Sequence, residues 1–225
     1  MADNIKELLK CDLFSCINEG EIIDILDRLN VKETKFLKGD ILAMQDEPCN
    51  RLIILTSGSV KAEMTDPSGK VVKVEDISAP SPLAILFLFG VNNRFPVQAT
   101  AREDVTALVI PKSSVLKMLQ MNEHILENYL NISAIYASKL SKKLHFMSFR
   151  TIRQKIALYL LDLMKEGDSL VEMDRTQNSL AEFFGVSRPS LAREMYNMQE
   201  DGLIEVNRKH IRILDKHKII QLVKF

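Results

Sequence analysis

Residues 175–198, RTQNSLAEFFGVSRPSLAREMYNM, decide the architecture of the C-terminal part of this chain. Leu180, Ala181 and Phe184 fall at helical spacing and give a first short helix one apolar face. Gly185 breaks it, and Gly185-Val186-Ser187 is a turn that lets a second helix cross the first at a steep angle. Ser187 suits the N-cap of that second helix, and Pro189 fits its first turn, where a missing N–H costs little. Leu191, Met195 and Met198 then supply a buried side, leaving Arg188, Ser190, Arg193 and Asn197 outward. Such a helix suits the DNA major groove, where arginine pairs bidentately with guanine O6 and N7.

The residues after Met198 strengthen that reading. Asp201-Gly202 is a turn signal, and residues 203–206 (LIEV) alternate like a strand. Asn207-Arg208-Lys209-His210 is a basic tip, and Ile211-Arg212-Ile213 alternates again, so a hairpin wing comes directly after the second helix. Paired helices also bind proteins, and exposed arginines can be no more than a solvated face. The wing supplies the structural context that favours DNA. On the N-terminal side, a helix is expected from Ile152 to Lys165, ended by Gly167-Asp168.

Between Val31 and Ile110 the texture is one of short alternating runs separated by turn residues. The runs are 51–55, 60–64, 71–74, 97–100 and 105–110, which imply an antiparallel jelly roll or small barrel. The first thirty residues read as helical. From Asn122 to Phe149 there is no Gly or Pro, and Ile125, Tyr129, Ile132, Tyr136, Leu140, Leu144 and Met147 step by three or four. That is a long helix with a coiled-coil-like seam, expected to face a second copy of the chain, with packing on the chain's own roll as the alternative. A second apolar set, Leu126, Leu130, Ala134 and Ile135, gives the helix another face, so that one face can pack on the chain's own roll while the other meets a second copy. The domain reading is therefore 1–121 for a sensing roll, 122–149 for a dimerisation helix and hinge, and 150–225 for a winged helix-turn-helix.

Composition bounds the function. The 225 residues hold 30 Lys and Arg against 30 Asp and Glu, so the chain is not coated with positive charge. Residues 1–149 carry 17 basic against 19 acidic side chains, and residues 150–225 carry 13 against 11. Any attraction to DNA must come from local clustering. The apolar run 83–89 is too short to cross a bilayer, no secretory signal is read at the N-terminus, and three cysteines suit a reducing cytoplasm. No membrane partner is expected. Paired carboxylates near a histidine, a nucleophile elbow, P-loop glycines and a metal-spaced His/Cys set are all missing, so an enzyme is not expected.

A roll, a long helix and a winged helix-turn-helix, in that order, resemble the bacterial cyclic-AMP receptor protein/FNR family of transcription regulators across nearly the whole chain. The resemblance implies that Arg188, Pro189 and Arg193 touch base edges. Thr176, Gln177, Ser187 and Ser190 would touch phosphates or flanking bases, with Arg208 and Lys209 at the wing. The family often has glutamate where this chain has Pro189, which offers no acceptor to a cytosine amino group. The half-site read should therefore differ. The implied partners are double-stranded DNA, a second copy of the chain and, for an activator, RNA polymerase.

Cyclic-nucleotide members of the family carry a Gly-Glu pair for the ribose and an Arg-Ser or Arg-Thr pair for the phosphate. Counting back from Ala101, those places hold Ala84-Ile85 and Phe95-Pro96. A buried phosphate without its guanidinium is costly, so cyclic AMP is not expected as effector. Leu83, Ile85, Leu86, Phe87, Phe95, Pro96 and Tyr129 are instead the candidate lining of an apolar effector pocket, with plain core packing as the alternative. Residues 86–97 look similar to the branch of the family tied to nitrosative and redox stress, where haem is a candidate sensor. His124, His145, Met118, Met121 or Met147 would then be the axial ligands to consider. Cys11 and Cys16, with four residues between them, and Cys49 do not match the four-cysteine spacing of an iron–sulfur cluster. The leading function is a homodimeric, sequence-specific DNA-binding regulator under an effector other than cyclic AMP. The alternative is a ligand-binding or scaffold protein whose winged helix meets protein.

Overall fold

The computed structural model describes residues 2–165 and 168–224, so the expected stop at Gly167 lies outside the described residues. The chain divides into two units, Met1–Ile135 and Tyr136–Phe225.

The first unit begins with α1 (Ala2–Leu8), a single 3₁₀ turn (Asp12–Phe14) and α2 (Glu19–Asp27). A capping box starts α2: Asn18 accepts from the Glu21 amide while Glu21 reaches back to the Asn18 amide. Eight strands come next: β1 (Lys32–Phe36), β2 (Ile41–Ala43), β3 (Arg51–Ser57), β4 (Ser59–Thr65), β5 (Val71–Ser78), β6 (Ser81–Leu83), β7 (Gln98–Ala101) and β8 (Val105–Pro111). They form two four-stranded antiparallel sheets, ordered β1-β8-β3-β6 and β2-β7-β4-β5, which together make the roll. Leu52, Ile53, Ile54 and Leu55 of β3 are all buried, because α1 and α3 (Lys112–Met121) cover the face that the roll interior does not. A run buried on both faces shows no alternation. Gly58 turns β3 into β4 at φ +80°, where a Cβ would stand 2.5 Å from the Asp104 carbonyl oxygen, so only glycine fits there.

Asn122 accepts from the Ile125 amide and starts α4 (Glu123–Ser148). In the first unit the seam residues follow the alternative reading and pack on the chain's own roll. Ile125 and Tyr129, expected in the seam between copies, are 0% and 8% exposed within the chain's own core, and Ile132 packs against the same core. Leu126, Leu130 and Ile135, of the second apolar set, are exposed. Periodicity finds apolar faces, but which one the roll covers depends on where the roll lies.

The second unit holds the rest of α4, then α5 (Ile152–Leu163), β9 (Leu170–Glu172), α6 (Gln177–Phe184), α7 (Arg188–Glu200), β10 (Ile204–Asn207), β11 (His210–Ile213) and α8 (Lys216–Val223). A Thr151–Gln154 capping box opens α5, and the helix stops at Leu163 rather than Lys165 because Met164 adopts extended backbone. The wing is a three-stranded sheet, β10-β11-β9, in which Val171 pairs with Ile211. Phe184 is 2% exposed, its ring stacked on Phe146 and meeting Tyr159 edge-on. Burial of a phenylalanine contributes about 1.5–3 kcal/mol, which pins α6 to α5. The α+β order of roll, long helix and winged helix-turn-helix is the one expected.

Candidate DNA interface and effector region

The second unit builds its exposed basic surface from local rules. Thr176 accepts from the Ser179 amide to begin α6, and Gly185 ends it in the left-handed region at φ 69°. Lys155 of α5 donates to the Phe184 carbonyl at 2.8 Å, satisfying one of the acceptors a helix end leaves open. Ser187 then accepts from the Ser190 amide to begin α7, with the two hydroxyls 2.8 Å apart and Pro189 in the first turn.

Leu191, Met195 and Met198 form the buried underside of α7. The outer side carries Arg188, Pro189, Ser190, Ala192, Arg193 and Tyr196, all but Tyr196 within the first two turns, and all exposed. Among the described residues no carboxylate pairs with Arg188, Arg193, Arg208 or Lys209. Arg153 and Arg175 of this unit, by contrast, are engaged. Arg153 of α5 bonds Glu194 at 2.5 Å and Asp201 at 2.8 Å, gripping α7 at two points. The Glu194 hydrogen bond is the main cause that raises the Arg153 pKa further. Arg175 lies over the Phe183 ring at 4.6 Å. The guanidiniums without a carboxylate partner among the described residues include Arg188 and Arg193 on the outer face of α7 and Arg208 at the wing tip, where Arg208 takes φ 54° between β10 and β11.

Thr176 is exposed and Gln177 half-buried at the start of α6. Asn197, read as outward, is half-buried, and its amide leans on Glu194 at 3.5 Å. Ala192 and Tyr196 are not among the residues that the sequence pattern singles out. Tyr196 is 59% exposed one turn beyond Arg193, and the heptad-like spacing of Pro189, Ala192 and Tyr196 was the available signal.

In the first unit the candidate effector residues fall into three groups. Leu83, Ile85, Phe95 and Tyr129 are packed in the roll core at 2–8% exposure, Leu86 and Pro96 are half-buried, and Phe87 is exposed. Ala84, at φ 49°, precedes a 3₁₀ turn (Ile85–Phe87). The Tyr129 hydroxyl donates to the Ile85 carbonyl at 2.7 Å, and the Phe89 ring meets Tyr129 edge-on. Burial, with the nearby Cys49 contributing, pushes the Tyr129 phenol up to about 12. Arg94, adjacent to the place of the family's phosphate-binding arginine, donates instead to the Asp46 carbonyl. Arg51 is tied to Glu47 and lies over the Phe95 ring. The places that the resemblance gives to the ribose and phosphate contacts thus hold the apolar core side chains of Ile85 and Phe95.

The haem-ligand candidates differ in burial. Met118 is buried in the roll core, His124 and Met121 are exposed, His145 packs edge-on against Phe149, and Met147 is exposed. Cys11 and Cys49 are buried, Cys16 is exposed, and among the described residues no group of three or more His, Cys, Asp or Glu side chains could hold a metal ion. Among the described residues no helix is long and apolar enough to cross a membrane.

Two family models match: a cyclic nucleotide-binding domain over residues 33–122 and a Crp-like helix-turn-helix domain over residues 154–222. The chain is 23% identical over 218 residues to the CRP-like cAMP-activated global transcriptional regulator of Mycobacterium tuberculosis, covering 94% of this chain and 96% of that one. It is 22% identical over 209 residues to the transcriptional activator protein anr of Pseudomonas aeruginosa, covering 90% and 84%. The crystal structure of the Thermus thermophilus catabolite activator protein shares the fold with a TM-score of 0.57 at 18% identity, over 94% of this chain and 98% of that one.

Proposed function

We propose that this chain is a DNA-binding transcription regulator of the CRP/FNR type that works as a homodimer on a palindromic operator, controlled by something other than cyclic AMP. One observation carries the reading of the DNA contact. Arg188 and Arg193 stand on the outer side of α7 with no carboxylate partner among the described residues, while Arg153 holds that helix through Glu194 and Asp201. Such guanidiniums on a rigid helix lose no ion pair on meeting guanine or phosphate.

In this reading Arg188, Pro189 and Arg193 meet base edges. Ser187, Ser190, Thr176 and Gln177 meet phosphates or flanking bases, and Arg208 and Lys209 at the wing tip meet the adjacent backbone. The exposed apolar residues of α4, Leu126, Leu130 and Ile135 in one unit and Tyr136, Leu140, Leu144 and Met147 in the other, are the surface for the second copy. An effector acts only through different affinity for two states of the dimer. One contact through which such an effector would reach α4 is the Tyr129–Ile85 hydrogen bond between α4 and the roll.

The test is retardation of duplex DNA drawn from a random pool. Progressive enrichment of a palindrome supports this reading. Equal retardation of selected and scrambled duplexes, or none, would favour the alternative in which the winged helix meets protein.

A further inference from the structure

The outer face of α7 is not uniformly basic. Pro189, Ala192 and Tyr196 lie three and then four residues apart, so they share one face, and all three are exposed. They form an apolar strip flanked by Arg188 on one side and Arg193 on the other. The underside is occupied by Leu191, Met195 and Met198, so the strip is not needed for packing within the unit. Proline and alanine have no polar side-chain atom, and Tyr196 has a hydroxyl only at its tip.

In the major groove one base feature is matched by carbon and by no hydrogen-bonding group: the C5 methyl of thymine. We propose that Pro189, Ala192 and Tyr196 read thymine methyl groups beside the guanine taken by Arg193. The half-site is then a guanine next to thymine, with thymine favoured over cytosine where Pro189 approaches. This inference rests on the DNA-binding reading above and specifies the sequence class that the same face recognises.

The experiment uses the full chain and duplexes selected from a random pool, with each thymine of the half-site replaced in turn by deoxyuridine. That exchange removes one methyl and leaves every hydrogen-bonding group in place. The expected result is a loss of about 4-fold in affinity at one or two positions, the worth of burying about one methyl-sized group. In parallel, Pro189→Glu is expected to move the preference at its position toward cytosine, whose amino group a carboxylate accepts. Arg193→Ala should lose the guanine preference and keep the sensitivity to uracil. Equal binding of thymine and uracil duplexes at every position, with a sequence still selected, overturns the methyl reading and leaves the regulator standing. A pool in which nothing is enriched overturns both.

Discussion

The Tyr129 hydroxyl of α4 donates a 2.7 Å hydrogen bond to the carbonyl of Ile85, in the turn where the resemblance would place a ribose-binding glutamate. Tyr129 is 8% exposed and Ile85 4%, so the bond is shielded from water. Tyr129→Phe leaves that carbonyl without its donor and should cost about 1–3 kcal/mol. Urea denaturation followed by circular dichroism reads the loss. An unchanged midpoint would mean the bond does not hold α4 to the roll.

The same residue sets an alkaline limit. Its phenol is raised from the ordinary 10 to about 12 by burial, so the protonated form is the one the fold stabilises. The stabilisation is complete below pH 10 and is lost as pH rises from 10 through 12, on the order of 2 kcal/mol. Tyr159 adds to the same trend, because burial, then the hydrogen bond to Asp174 at 2.6 Å, raises its phenol too. Tyr129→Phe should flatten part of the fall in stability between pH 10 and 12. A slope identical to that of the parent chain would contradict this.

Two basic side chains at the DNA face should fail differently. Arg193→Ala is expected to cost on the order of 1–3 kcal/mol and to relax discrimination at one base pair. Lys209→Ala at the wing tip should weaken binding to all duplexes alike and lower the salt slope by about 1. Titrations of specific and scrambled duplexes over a range of salt separate the two effects. Sequence-dependent loss at Lys209 with uniform loss at Arg193 would reverse the roles proposed for them.

The three thiols should react in two classes. Cys11 and Cys49 are buried, and burial raises both thiols above the ordinary range, whereas Cys16 is exposed. The thiolate is the reactive form, so an aromatic disulfide reagent at neutral pH should titrate one thiol quickly and the other two only on unfolding. Three fast equivalents would show that the roll core opens readily.

Much of this was legible from the residues alone. Gly185, Ser187 and Pro189 carry their own instructions, and the turn, the cap and the α7 start lie where those residues put them. Strands β3, β4, β5 and β8 announce themselves by β-branched residues between turn signals. β1, Lys32–Phe36, does not, because its lysines and glutamate show no apolar alternation, and its place comes from pairing with β8. β6 and β9 have three residues each, and β6 includes Pro82, which demotes a strand reading. The faces of α4 resist assignment for a related reason: both stripes are apolar, and only the tertiary position of the roll covers Ile125 and Tyr129. Arg153 gives no local signal, since its partners Glu194 and Asp201 are 41 and 48 positions away in sequence.

The exposed α4 residues bear on assembly. Leu140 and Leu144 are 61% and 60% exposed. Replacing both by glutamate would place charges in an apolar interface and should convert a dimer to monomers with each fold intact. Light scattering with circular dichroism reads mass and fold together. A parent chain that is already monomeric at tens of micromolar, or a double variant of unchanged mass, would show that this surface does not join two copies.

Whether two chains act together on one operator is decided by sedimentation of the full chain with a selected palindromic duplex, and with the same duplex carrying five extra base pairs between its half-sites. Two recognition helices of a two-fold dimer meet major grooves about 34 Å apart, and five base pairs turn one half-site to the opposite side of the helix. Two chains should sediment with the palindrome, and that complex should be lost on the expanded duplex. One chain per duplex, or equal binding to both, would refute the homodimeric regulator.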